Sequence, residues 1–144
     1  MIILSVIIPT RNRASYLQQA LASIMKQSYP IDFFEVIVID NGSTDNTRQV
    51  VESFQQQLRN VRYFYDPTPG LHVGRHLGMK MAKAEILVYA DDDIEASPTW
   101  LEAIAESFQN QDVILVGGQN LPKFESEPPD WIKKMWARNK HGER

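Results

Sequence analysis

The 144 residues contain no cysteine. That excludes a disulfide framework and thiol chemistry, and it fits a reducing compartment. Basic residues are not in excess: 15 Lys and Arg stand against 18 Asp and Glu, for a net charge of −3. A general nucleic-acid binder would carry the opposite balance, so no nucleic-acid partner is expected. No apolar stretch approaches the roughly 18 residues that a membrane-spanning helix needs. The apolar start, Met1 to Pro9, lacks a basic leader and a small-residue cleavage site, so it is read as a strand and not a signal peptide. There is no internal repeat and no low-complexity segment. What is present is an ordinary globular balance, with 43% hydrophobic and 23% charged residues in a length that fits one domain.

Apolar runs and helical periodicities alternate along the chain. Ile2 to Ile8 reads as a buried strand ended by Pro9. Ser15 can cap a helix with Leu17, Leu21 and Ile24 on one face. Val36 to Ile39 is a second strand with Asp40 at its end, and Ser43 or Thr44 can cap a helix carrying Val50, Val51 and Phe54. Val61 to Tyr65, interrupted by polar residues, reads as a strand nearer an edge. Asp66 to Gly70 is a loop, and a helix follows from about Val73 to Lys83. Ile86 to Ala90 is a fourth strand. Ser97-Pro98 starts a helix with Leu101, Ile104, Ala105 and Phe108 inward, and Val113 to Val116 is a fifth strand ending at Gly117-Gly118. This βαβ spacing, with strands that are continuous apolar runs, predicts an α/β fold: a Rossmann-like, mostly parallel sheet with helices on both faces.

The most informative feature is Asp91-Asp92-Asp93, directly after the fourth strand. Three adjacent carboxylates repel one another, and burying them uncompensated is costly. A hard divalent cation takes oxygen ligands and neutralises such a cluster. Mg²⁺ in particular uses one or two carboxylates and fills its shell with water and substrate phosphates. A solvated acidic turn is the plainer reading of the same residues. Ligands of open α/β sheets bind outside the carboxyl ends of the strands. That rule brings together Pro9 to Asn12, Asp40 to Asp45 and Asp91 to Asp93.

In unbroken order over about residues 3–118, four segments resemble family 2 glycosyltransferases. They are Ser5 to Asn12, Val36 to Asp45, Gly74 to Gly78, and Asp91-Asp92-Asp93. The resemblance implies the GT-A fold and sugar transfer with inversion from a nucleotide-sugar donor, UDP-sugar above all, of the kind used in polysaccharide biosynthesis. Pro9, Thr10 and Arg11 match the loop that lines the nucleoside, and Asp40 the carboxylate that contacts base or ribose. Asp45 matches a second acidic position supporting that pocket, and Arg75 a basic residue near the diphosphate. The triplet matches the DxD-type motif: Asp91 or Asp92 would face the ribose, and Asp93, with Asp91, would hold Mg²⁺ or Mn²⁺.

The chain departs from the family pattern in places. Position 11 is often aromatic there and is Arg11 here; the third-helix motif often reads Arg-Asn and is Arg75-His76 here. The family's general base is a carboxylate well beyond the fifth strand. Glu125, Glu127 and Asp130 lie too early and among prolines, so the base is expected beyond Arg144. Residues 1–118 are thus expected to be the donor-binding domain. Residues 119–144 would be a Pro-rich tail or the start of an acceptor region, in a chain that is a piece of a longer enzyme and transfers poorly by itself. Its Trp131 to Trp136 patch can pack on the domain or touch a membrane or acceptor. The acceptor, whether carbohydrate, lipid or protein, is not legible. The expected location is cytoplasmic, where nucleotide sugars are made, with membrane association through absent residues left open.

Other classes fit less well. A receiver domain needs acidic residues after the first strand, where this chain has Pro9-Thr10-Arg11-Asn12; a nucleotidyltransferase needs a Gly-rich, basic first loop. A non-catalytic nucleotide-sugar-binding module would keep Asp40 and Asp93 without a base, and it is the alternative. His72 and His76 have i,i+4 spacing but no third ligand, and His141 lies in the tail.

Overall fold

The computed structural model describes residues 1–140, with the side chains of 138–140 left aside. His141 lies outside the described residues. The chain divides into two compact units, Met1–Ile114 and a second beginning at Leu115.

The first unit is built on four parallel strands: β1 (Leu4–Thr10), β2 (Phe34–Asp40), β3 (Val61–Tyr65) and β4 (Ile86–Tyr89), in the order β3-β2-β1-β4. β1 and β2 are buried at every position, as expected of central strands covered on both faces. β3 is an edge strand, and its polar residues are only partly buried. Even-numbered strand residues (Leu4, Val6, Ile8, Val36, Val38) share one core with α1 (Ala14–Ile24), α2 (Thr47–Gln55) and Leu101 of α4 (Trp100–Ser107). The opposite face is covered by α3 (Leu71–Met81). Its two buried residues are glycines: a Cβ on Gly74 would collide with Asn41 Oδ1, and one on Gly78 with Ile7 Cγ2. The glycines therefore let α3 lie close on the sheet, which sets the depth of Arg75.

Several local expectations need correction. Pro9 does not end β1, which runs on to Thr10, pairing there with Asp40. Neither Ser15 nor Ser43 or Thr44 caps a helix. Asp45 serves both α1 and α2: Oδ2 accepts from the Ala14 N–H at 3.1 Å and Oδ1 from the Thr47 N–H at 3.0 Å. Both helix starts thereby gain an acceptor for an otherwise orphaned N–H. Val113 to Val116 forms no strand. An apolar run becomes a strand only where a neighbour completes its hydrogen-bond ladder. No described residue does so, and Ile114 and Leu115 stand 91% and 86% exposed. In the second unit, α5 (Asp130–Lys140) leaves Trp131, Met135 and Trp136 exposed.

Candidate functional site

In this sheet the chain moves outward from β1 through β2 to β3, then returns to the other side of β1 to form β4. The connections through α1 and α2 and the one through α3 cover opposite faces, so the switch point of the sheet lies between the carboxyl ends of β1 and β4. Thr10 and the acidic triplet stand at that switch point. The Thr10 hydroxyl donates to Asp92 Oδ2 at 2.7 Å, and both residues are buried. The middle carboxylate is thus turned inward, leaving Asp91 and Asp93 outside. Asp91 accepts from Arg75 Nη2 at 3.3 Å, which ties α3 to the triplet.

Sequence reasoning missed Arg13, which spans two members of the triplet. Its Nη1 lies 3.1 Å from Asp92 Oδ1 and its Nη2 2.8 Å from Asp93 Oδ2, with the guanidinium carbon 4.7 Å from the centre of the Tyr16 ring. Burial pushes the Asp92 carboxyl above its ordinary value. Thr10 and Arg13 pull it down and its two acidic neighbours push it up again; the net direction is upward. Arg13 is held more firmly protonated, first through its hydrogen bond to Asp93.

A second cluster stands at the ends of β2 and β3. Asp40 is buried. Its Oδ1 accepts from the Ser43 N–H at 2.7 Å and its Oδ2 from the Tyr63 hydroxyl at 2.7 Å. Burial first, and then this bond to Asp40, raise the Tyr63 pKa, so the phenol stays a donor. Asp40, Ser43, Thr44, Asp45, Arg48, Gln49, Tyr63 and Tyr65 line a cavity of about 260 Å³. Desolvation disfavours the Asp45 carboxylate, but the hydrogen bonds from Thr47 and Ala14 outweigh it and hold Asp45 below its ordinary value. Asn12 joins the two clusters from a left-handed backbone, φ 52°: its N–H donates to Ser43 Oγ and its Oδ1 accepts from the Thr44 N–H.

The sequence-predicted residues therefore gather along one edge of the sheet in two groups. Asp40 and Asp45 line the cavity. Thr10, Arg75, Asp91, Asp92 and Asp93 meet beside β1 and β4. Pro9 lies under α3, close to Gly74, and Arg11 is exposed just past the strand end. The signals for the missed residues were slight: a second arginine in Arg11-Asn12-Arg13, and a tyrosine alternating with Val61 and Tyr65.

Arg75 Nε and Asn41 Nδ2 are buried donors without a hydrogen-bond partner among the described residues. No group of three His, Cys, Asp or Glu among the described residues converges to hold a metal. The donor set instead fits a hard cation that shares its shell with a ligand's oxygens: Asp91 and Asp93 expose carboxylate, while Asp92 is committed to Thr10 and Arg13.

The family described as glycosyl transferase family 2 matches residues 5–144. The chain belongs to that family. Among its relatives, a validoxylamine A glucosyltransferase of Streptomyces hygroscopicus is 38% identical over 104 residues, covering 71% of this chain and 24% of the relative. The glycosyltransferase AglE of Haloferax volcanii is 34% identical, covering 79% of this chain and 38% of AglE. Among solved structures, S. aureus TarS 1-349 in complex with UDP superposes with a TM-score of 0.72 at 30% identity, over 85% of this chain and 38% of that one. The mannosyltransferase PcManGT of Pyrobaculum calidifontis, in complex with GDP-Man and Mn²⁺, superposes with a TM-score of 0.67 at 27% identity, over 79% and 33%. The fold is thus that of the GT-A glycosyltransferases, and this family 2 chain spans less than two fifths of each of these relatives.

Proposed function

We propose that Met1–Ile114 is the donor-binding part of an inverting, metal-assisted family 2 glycosyltransferase that uses a UDP-sugar. The observation that carries this reading is the cluster at the carboxyl ends of β1 and β4, where Thr10 donates to Asp92, Arg75 donates to Asp91, and Asp93 stays accessible. The bound UDP in the TarS structure supports the choice of nucleotide. Asp40 orients the nucleoside: both its oxygens are fixed by Ser43 and Tyr63, and remaining lone pairs accept from a ribose or base. Pro9, Thr10 and Arg11 line the nucleoside, and Asp45 supports the pocket by anchoring α1 and α2.

Arg75 brings positive charge to the diphosphate, and its unpaired Nε is a donor for a phosphate oxygen. Asp93, with Asp91, would hold Mg²⁺ or Mn²⁺. The chemistry that such a cation supplies when bound is stabilisation of the negative charge on the departing nucleoside diphosphate. We assign deprotonation of the acceptor hydroxyl to a carboxylate outside residues 1–144, and the reaction to the cytoplasmic side, where donors are made. Among the described residues no helix is long and apolar enough to cross a membrane.

Calorimetric titration of UDP, with and without Mn²⁺, tests the reading beside Asp93→Ala. Metal-dependent binding that the substitution abolishes is expected. Absence of UDP binding in either condition would overturn the UDP-donor assignment, and tight binding of GDP in its place would redirect it to another base.

A further inference from the structure

Arg13 is used by nothing in the reading above, yet it makes two ion pairs with the triplet. Those pairs differ. The Asp92 side chain is 6% exposed and held from its other oxygen by Thr10, whereas the Asp93 side chain is 45% exposed. A guanidinium presents separate N–H donors in a rigid fork, so it can keep one carboxylate while releasing the other. Its stem and its contact with the Tyr16 ring hold the head in place during such an exchange.

We infer that Arg13 is a tethered counter-cation: it offsets part of the charge on Asp92 and Asp93 before a divalent ion arrives, stays on Asp92, and gives up Asp93 when that ion binds. This rests on the donor-site reading, because it takes Asp93 as the metal-facing carboxylate. Like charges at one carboxylate repel, so Arg13 weakens metal binding in the nucleotide-free protein. An added anionic diphosphate offsets that penalty. The site is thereby biased to take its cation together with the donor and not ahead of it.

Removal of Arg13's charge should strengthen binding of free Mn²⁺. The test counts protein-bound Mn²⁺ without nucleotide, by loss of the aqueous Mn²⁺ resonance, for wild type, Arg13→Met, Arg13→Gln, Arg13→Lys and Arg13→Met combined with Asp93→Ala. The neutral variants should bind about five-fold more tightly, the factor for an exchangeable ion pair of ordinary surface strength. Arg13→Lys, which keeps the charge, should stay near wild type, and the gain should vanish with Asp93→Ala. Using two neutral variants, each checked by circular dichroism, keeps a folding defect in one from hiding the effect. Unchanged or weaker Mn²⁺ binding in the folded neutral variants overturns the inference. UDP calorimetry on the same samples separates the two readings: if wild type binds UDP with Mn²⁺ while neutral variants gain nothing, only the role of Arg13 fails.

Discussion

Two buried carboxylates sit at opposite ends of the same sheet, and they are treated in opposite ways. Glu35, at the amino ends of the strands, is 2% exposed and enclosed by partners. Its Oε1 accepts from Ser5 Oγ at 2.7 Å and the Lys83 N–H at 2.6 Å, and its Oε2 from Arg62 Nη1 at 2.8 Å. Burial disfavours its charge, but these donors outweigh burial and hold it below its ordinary value. Asp92, at the carboxyl ends, is 5% exposed and sits between two like charges. It ends above its ordinary value. Burial opposes the charge of both: at Glu35 three donors outweigh it, whereas at Asp92 burial outweighs Thr10 and Arg13, and the two like charges add to it. Glu35 is arranged for stability: it locks β1, β2 and β3 to the turn before β4. Asp92 keeps a buried charge beside Asp91 and Asp93 at the opposite edge, where the proposed cation would sit.

The largest effect is expected at Glu35. Glu35→Ala leaves Arg62, Ser5 and Lys83 facing a hole, and removal of one partner from a buried pair should cost about 3 kcal/mol, read by urea denaturation. Gly78→Ala pushes a methyl into Ile7 on the same face; overpacking of this kind should cost about 2 kcal/mol in the same assay. Tyr63→Phe removes one donor from Asp40, and loss of one part-buried hydrogen bond should cost about 1 kcal/mol and weaken UDP binding several-fold by calorimetry. Asp92→Asn keeps an acceptor for Thr10 and should change stability by less than about 1 kcal/mol, because it also removes like-charge repulsion.

The pH dependence sharpens the contrast. Glu35 is shifted down, so its contribution is full above its ordinary 4.5 and is lost as pH falls through its lower folded value. Glu35→Gln should flatten that acid limb. Asp92 is shifted up, so its contribution is present below its ordinary 3.8 and lost as pH rises through its higher folded value. Asp92→Asn should therefore gain on wild type as pH rises above that range, measured as the difference between denaturation midpoints.

What could be read in advance was whatever depends on local pattern. Apolar runs marked β1 and β2 as strands of a sheet covered on both faces, and polar interruptions marked β3 as nearer an edge. The switch-point rule gathered Thr10, Asp40 and the triplet at one edge without any knowledge of side-chain positions. Long-range pairings were not legible. Arg13 and Asp93 are 80 positions apart, and the cap of α1 comes from Asp45, 31 positions from Ala14. Ser15, Ser43 and Thr44 had the right chemistry for caps, but a residue from another loop reached the amides instead. Val113 to Val116 had the composition of a strand without a described neighbour to pair with.

Asp45 has a kinetic meaning as well as a structural one. One carboxylate holds the first turns of two helices, an oxygen for each. Rotation of that side chain releases both amides at once. Hydrogen exchange at Ala14 and Thr47 should therefore report a shared opening event, with common protection that Asp45→Ala removes from both. The loops after β1 and β2, which carry the nucleoside-facing residues of the proposed site, would then fluctuate as one cooperative unit.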